Sequence, residues 1–513
     1  MDLTGRPFPA RSSAVAARGM VATSQPLATQ AGLRALERGG NAVDAALAAA
    51  AMLCVVEPMS TGVGGDCFAL IWRDGELSGL NSSGRAPAAA DPESMGTAIP
   101  MHGPLSVTAP GAVAGWAALA ERHGRLGLDR ALEDSIDTAE RGFAITPVIA
   151  GYWAEAAADL AGYEEARRVL LPAPRVGQIV QLPELAATLR RIANEGAGGF
   201  YTGPVADAIV AATPLSLDDL AAAHADWVEP LRHHYRGVDV CEIPPNGQGV
   251  AALQALGILS GLDHTGGRAL DRVHLQAEAM KLAFSDAYRY VHDGPLPPRY
   301  LEEEYLASRR AEIDPARAGR PEAGRLDPGG TVYLCAVDED RNACSLIQSV
   351  YHAFGSNVVA PGTGVALQNR GHGFTLEPGH PNRLAPGKRP YHTIIPGLKL
   401  RDGALLGPFG VMGGHMQPQG HLQFVSHVVD RGLDPQAALD EPRWRLDNVG
   451  RADWTLALEE PLYGLAPELA RRGHAVLCDP QPESFGGGQA VLVRDDVLIG
   501  GSESRKDGIA LGY

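Results

Sequence analysis

Over residues 28–55 the apolar positions recur at helical spacing, broken once by Gly39-Gly40-Asn41, which predicts one helix ended by glycine and a second beginning behind it. Pro58-Met59-Ser60-Thr61-Gly62-Val63-Gly64-Gly65-Asp66 then forms a glycine-rich turn, and residues 67–72 read as a strand. The stretch 112–200 is mostly helical in pattern, 238–243 is strand-like, and 270–290 predicts a long helix with a charged face and an Ala/Leu/Phe face. Residues 1–18 are a polar lead-in. Residues 309–330, rich in Arg, Glu, Pro, Asp and Gly, carry little to bury and read as a linker. Beyond it, short apolar strands alternate with Gly/Pro turns, with helices expected around 420–431 and 461–472. No short-period repeat is present. Helix-rich and strand-rich stretches on both sides of the linker predict a layered sandwich of helices and sheets built from both halves.

The linker ends in Gly329-Gly330, and Thr331 opens a strand, 331–337, that is apolar on both faces apart from Thr331 itself. Asp338-Glu339-Asp340-Arg341-Asn342 is a polar turn of hairpin length, and 343–350 is the returning strand. Pairing Val337 with Ala343 sets Thr331 opposite Ser349, so a second hydroxyl lies beside the first. A threonine at a strand start is commonly only a β-former. A threonine that becomes an N-terminus is different, because its α-amine, with a pKa of roughly 7.7 to 8, is a base for its own hydroxyl. The Gly-Gly junction gives the backbone freedom for the Thr331 hydroxyl to attack the Gly330 carbonyl.

Composition narrows the functional classes. The chain has 513 residues, 45% hydrophobic and 20% charged, enough to bury a core larger than a single-core domain usually holds. A formal charge of -16 without a Lys/Arg stripe argues against a nucleic-acid partner. The N-terminal stretch lacks the apolar core of a secretory signal, and the longest weakly polar run is too short to span a bilayer. Six scattered cysteines without CxxC spacing argue against a zinc or disulfide framework, so a cytoplasmic location with no membrane partner is expected. His352, His372, His392, His415 and His421 show no HxH or HExxH spacing, and hydrogen-bonding or structural histidines are expected rather than metal ligands. Gly62-Val63-Gly64-Gly65 precedes its strand and is no dinucleotide fingerprint. No metal and no cofactor are expected.

Gly39-Gly40-Asn41-Ala42-Val43-Asp44-Ala45-Ala46, the turn at 58–68, Lys281-Leu282-Ala283-Phe284-Ser285-Asp286, the Thr331 strand, Phe354-Gly355-Ser356, and Lys388-Arg389-Pro390 followed by Gly413-Gly414 resemble the γ-glutamyltransferase (glutathione hydrolase) family. The resemblance covers nearly the whole chain. It implies an α+β N-terminal-nucleophile hydrolase fold, an αββα four-layer sandwich, made as a precursor that cleaves itself between Gly330 and Thr331. A large subunit, 1–330, and a small subunit, 331–513, would then stay together as one unit, with a homodimer of such units left open. The resemblance places the nucleophile at Thr331, a serine in place of the assisting threonine at Ser349, and oxyanion-hole N–H groups at Gly413 and Gly414. Read alone, the glycine pair is an ordinary turn.

The substrate-binding positions depart from the glutathione pattern. Where the family carries an Asp-Phe-Arg-Glu stretch whose arginine holds the substrate α-carboxylate, this chain has Asn81-Ser82-Ser83-Gly84-Arg85-Ala86-Pro87. Where an acidic residue normally holds the α-amine, it has Gln368-Asn369-Arg370-Gly371-His372-Gly373-Phe374, with no carboxylate. The serine pair after Lys-Arg-Pro becomes His392-Thr393. Arg85 is either a two-pronged carboxylate clamp or a salt-bridged loop residue, and Arg370 is a second candidate. Tyr351, His372, His392 and Thr393 complete the expected substrate-binding set. Residues 246–249, Arg389-Pro390-Tyr391-His392-Thr393 and 412–421 resemble a branch that includes oxamate amidohydrolase. The expected activity is hydrolysis of a small carboxylate-bearing amide through an acyl-threonine. The alternatives are hydrolysis or transfer of γ-glutamyl compounds, and a binding protein that never matures.

Overall fold

The strand that begins at the Gly-Gly junction lies in the middle of the molecule. In the computed structural model, which describes residues 11–265, 267–321, 330–447 and 454–513, Gly330–Val337 pairs with Ala343–Tyr351 on one side and Met20–Thr23 on the other. Val332 to Val337 are wholly shielded from solvent, as the two-sided apolar pattern requires. These strands belong to a seven-stranded antiparallel sheet, ordered from Ile509–Gly512 through Met20–Thr23, Gly330–Val337, Ala343–Tyr351, Asp66–Arg73 and Glu76–Ser82 to Asp226–Val228. A second antiparallel seven-stranded sheet stacks on it. Its order runs from Ala14–Ala16 through Val497–Ser502, Gly487–Arg494, Ala404–Met412, Gly397–Arg401 and Val238–Glu242 to Leu231–Tyr235. Both sheets combine strands from either side of residue 330.

Helices cover both outer faces, giving four layers, αββα. Pro26–Glu37 and Ala42–Val56 lie on the Thr331 sheet. All fifteen residues of Ala42–Val56 are buried, and its alanines let neighbours approach closely. Gly32 does the same from the facing helix: a Cβ there would sit 2.9 Å from Ala45 O and from Val21 Cγ1. The Gly39-Gly40-Asn41 break is a helix end followed by a capping box. Asn41 Oδ1 accepts from Val43 N and Asp44 N, while Asp44 Oδ2 accepts from Asn41 N. The opposite outer layer is formed by Gly249–Ser260, Ala269–Tyr290 and Met416–Arg431. Their apolar faces share a core with Tyr235, Val238, Val240 and Phe409 of the second sheet.

Three details differ from the sequence expectation. The hairpin register set by Val337 and Ala343 holds as far as Val332 opposite Gln348, but a bulge follows, so Gly330 pairs with Tyr351. The helix expected from 420 starts four residues earlier, at Met416, because Pro418 falls in the first turn, where its missing N–H costs nothing. The first part of the expected linker is ordered. Arg309 and Arg310 end the helix Glu303–Arg310, and the Arg310 guanidinium donates to the Gly257 and Ile258 carbonyls. Gly319 N donates to Glu278 Oε2 and Gly319 O accepts from Lys281 Nζ. Residues 322–329 lie outside the described part. No helix among the described residues is long and apolar enough to cross a membrane.

Candidate active site

Beside the bulge at the start of its strand, the Thr331 side chain bonds two polar neighbours, Ser349 and Gln417. Thr331 is 3% exposed, and its Oγ1 donates to Ser349 Oγ at 3.2 Å. Gln417 Nε2 in turn donates to Thr331 Oγ1 at 3.3 Å. Ser349 Oγ also accepts from Tyr351 N at 2.8 Å and from Arg370 Nη2 at 3.3 Å. The two hydroxyls expected to face one another do so. Gln417 lies within the 412–421 stretch, and the sequence predicts no role for it, because its contact depends on how the second sheet's helix sits over the first sheet.

Gly413 and Gly414 lie between the strand Ala404–Met412 and the sixteen-residue helix Met416–Arg431, with φ of +125° and +58°. Glycine is required here, since these are conformations that L side chains rarely adopt. The carbonyls of the pair are committed: Gly413 O accepts from Met416 N and Gly414 O from Gln417 N. Gln248 Nε2 donates to Gly414 O at 3.0 Å and to Thr393 O at 2.7 Å, fixing the peptide plane from the other side. The pair sits at the positive end of a helix, where partial positive charge favours an anion.

Arg370 is fully buried behind Ser349. Its Nη1 donates to Thr393 Oγ1 at 2.8 Å and its guanidinium lies 4.0 Å over the Tyr351 ring. Its Nε has no partner, and among the described residues no carboxylate reaches it within ion-pair distance. Burial pulls its pKa down to about 10, so it remains a cation at neutral pH. His392, beside Thr393, accepts from Ile394 N at Nδ1, so its proton is on Nε2, which donates to Asp66 Oδ2 at 2.9 Å. Burial, and then Arg370, lower the His392 pKa to about 4, so the ring is neutral. Asp66 Oδ1 takes N–H groups from Gly84, Gly111 and Gln368. His392 is thus a buried brace for the loop that carries Thr393, not a group facing Thr331.

The structure does not bring Arg85 to this cluster. Arg85 is half-exposed, paired with Asp293 at 3.2 Å, donates to Gly387 O, and lines a separate cavity. His372 bonds through Nδ1 to Ile99 O, with its ring 5.9 Å from that of His352. Among the described residues a cavity of about 700 Å³ opens at Thr331, with Gly413, His352, Tyr152, Met412 and Glu57 in its wall. Burial raises the Glu57 pKa to about 7, against a 2.5 Å hydrogen bond from Ser24 Oγ. None of the five histidines named from the sequence belongs to a three-ligand group among the described residues. The group that exists, His274, Glu278 and His474, is tied up by protein partners: Lys281 Nζ is 2.7 Å from Glu278 Oε1, and His274 bonds His474 at 2.8 Å.

An antiparallel αββα sandwich with a threonine hydroxyl at the head of a central strand, sharing a cavity with Gly413 at a helix start, is the arrangement of the N-terminal-nucleophile hydrolases. The chain belongs to the γ-glutamyltranspeptidase family, whose model matches residues 28–513. It is 34% identical to a glutathione hydrolase-like YwrD proenzyme of Bacillus subtilis, over 98% of this chain and 99% of the relative. It is 35% identical to an oxamate amidohydrolase proenzyme of Klebsiella pneumoniae, over 98% of this chain and all of the relative. A cephalosporin acylase from Bacillus halodurans shares the fold with a TM-score of 0.92 and 45% identity, covering 100% of this chain and 99% of its own.

Proposed function

We propose that cleavage of the Gly330-Thr331 bond frees Thr331 as the nucleophile of an amidohydrolase for small amides that carry a carboxylate and no amino-acid head group. The Thr331 Oγ attacks the amide carbonyl while its α-amine takes the proton, directly or through water. N–H groups of Gly413 and Gly414 hold the oxyanion, the amine or ammonia leaves, and water releases the acid from the acyl-threonine. Arg370 carries the substrate reading. It is a buried guanidinium one hydroxyl away from the nucleophile, with an unpartnered Nε and no carboxylate of its own among the described residues. Such a cation favours an incoming anion. The branch resemblance to an oxamate amidohydrolase supports the same class.

A second reading, hydrolysis of γ-glutamyl compounds, is favoured by Glu57, Glu155 and Asp159 in the cavity wall, which offer oxygens to an α-ammonium. Intact-mass measurement, followed by rates on oxamate, glutaryl anilide and glutathione, separates the readings. Two fragments split before Thr331 and faster turnover of the amine-free amides are expected. A single unsplit chain sinks the maturation step, and preference for glutathione sinks the substrate class.

A further inference from the structure

We propose that Gln417 is a catalytic residue whose side-chain amide stabilises negative charge on Thr331 Oγ, both when that oxygen attacks and when it departs from the acyl-enzyme. The inference rests on the reading of Thr331 as nucleophile. Gln417 is the second residue of the helix Met416–Arg431, directly behind the paired glycines, and is fully buried. Its orientation is set by the protein: Oε1 accepts from Ile395 N at 3.0 Å, so the amide cannot flip without leaving that donor unpaired, and Nε2 must face Thr331 Oγ1 at 3.3 Å. One helix turn therefore supplies two kinds of donor. Backbone N–H groups of Gly413 and Gly414 serve the carbonyl oxygen, and Gln417 serves the nucleophile oxygen.

The chemistry makes this second donor selective for transition states. In acylation the Oγ–H bond breaks toward the α-amine as the Oγ–C bond forms, and the oxygen gains charge before it is shared with carbon. In the acyl-enzyme Oγ is the bridging oxygen of an ester, a weak acceptor that gains little from an N–H. In deacylation water adds to the carbonyl, the C–Oγ bond breaks, its electron pair returns to Oγ, and a proton comes back from the amine. The Gln417 N–H thus interacts more strongly with both transition states than with the ester between them, which is the condition for raising a rate. Self-cleavage begins with attack of the same oxygen on the Gly330 carbonyl while the Thr331 nitrogen is still an amide: the Oγ proton passes to water, the C–N bond breaks with a proton returned to the nitrogen, and water then hydrolyses the ester, so Gln417 serves maturation as well.

Gln417→Glu and Gln417→Met test this. Glu, assayed at a pH where it is ionised, keeps an oxygen for Ile395 N and puts an acceptor-only, negatively charged oxygen where the donor was, whereas Met removes both contacts. Maturation is followed by intact mass, which needs no substrate, and turnover by p-nitrophenyl glutarate, with Thr331→Ala as the reference for a missing nucleophile. Folded Gln417→Glu, judged by a melting temperature near the parent's, is expected to mature and turn over about 10- to 100-fold more slowly. Its steady-state ester rate should fall further than its burst rate, because an alkoxide leaves without a donor. A purely structural role predicts that Glu rescues what Met loses. Parent-like maturation and turnover in Gln417→Glu, with Thr331→Ala inactive, overturns the role of Gln417 alone. An active, self-cleaving Thr331→Ala overturns the nucleophile reading instead. If Gln417→Glu does not fold, the burst and steady-state rates of folded Gln417→Met decide: parent-like values or an equal fall in both overturn the proposal, and a steady-state rate that falls further than the burst supports it.

Discussion

The Arg370 guanidinium lies 4.0 Å over the ring of Tyr351, and Tyr351 holds that place with a φ of +83°. A non-glycine residue in this region costs on the order of 1–2 kcal/mol, and here the cost is offset by a bond from Tyr351 N to Ser349 Oγ and by the ring's contact with a buried cation. Cation, ring and nucleophile partner are therefore fixed relative to one another before any substrate arrives.

Replacing Arg370 tests what the cation is for. Arg370→Met is expected to lower kcat/KM for a glutaryl anilide about 10- to 100-fold, while a butyryl anilide, equal in length without the carboxylate, changes by no more than about 3-fold. Arg370→Lys should recover only part of the loss, since a point charge cannot hold Thr393 and Ser349 together with a carboxylate. Equal losses on both anilides would show that Arg370 only supports Ser349.

Ser349 joins three donors, and its removal takes a buried acceptor from all three. In Ser349→Ala the Tyr351 N–H loses its acceptor and Thr331 Oγ1 loses the oxygen it donates to. A destabilisation of about 1–3 kcal/mol is expected from the loss of these buried hydrogen bonds, read as a lower denaturant midpoint. Maturation should slow as well, measured as the fraction of unsplit chain. A variant of parental stability that matures at the parental rate contradicts this.

Much of this arrangement was legible because local rules decided it. The five-residue turn Asp338 to Asn342 set the hairpin register from Val337 to Val332, and the Gly39-Gly40-Asn41 break is a helix end plus a capping box whatever surrounds it. What local rules could not supply was which side chains meet across layers. Arg85 and Arg370 are equally good carboxylate clamps as residue types, but Arg85 leaves the end of its strand toward Asp293, while Arg370 is carried under Ser349. Gln417 and Gln248 reach the site only because a helix of the second sheet's layer begins beside the first sheet's Thr331. The segment 309–321 read as a linker because it is polar, yet Arg310 is held by carbonyls at the end of the helix Gly249–Ser260, a partner that composition does not reveal.

Acidification should destabilise the protein through histidines buried neutral. Burial lowers His392 from 6.5 to about 4, and His427 and His474 to about 3. The unfolded chain binds protons on these rings below pH 6.5 and the folded one does not, so stability present above 6.5 is lost as pH falls toward 4. Glu57 acts oppositely: burial raises it from 4.5 to about 7, so its contribution is lost as pH rises through that window. Burial also lowers His123, His233, His274 and His380 and raises Glu242, Asp286 and Asp338, so seven rings against four carboxylates leave a net loss on acidification. The melting temperature is expected to be lower at pH 5 than at pH 7.5, and His427→Gln should flatten the slope. A melting temperature that rises toward pH 5 contradicts the assignment.

The two ends of the helix Met416–Arg431 give a matched pair of glycine substitutions. Gly413, before its start, has φ +125°, and a Cβ there would sit 3.2 Å from Gly486 Cα and 3.3 Å from Met416 Cβ. Gly432, at its C-terminal end, has φ +65° and nothing within 4 Å of a built Cβ. Both alanine variants force an L side chain into a disfavoured backbone region, at a cost of order 1–3 kcal/mol, so both should melt earlier. Only at Gly413 does relief of that strain turn a peptide N–H of the oxyanion site. Loss of one such donor lowers kcat about 10²- to 10³-fold. Gly413→Ala is therefore expected to be destabilised, poorly matured and nearly inactive, and Gly432→Ala to be destabilised with kcat unchanged. Comparable activity in the two variants would place the oxyanion site elsewhere, because Gly413 carries the greater strain and is the one of the two that shares a cavity with Thr331.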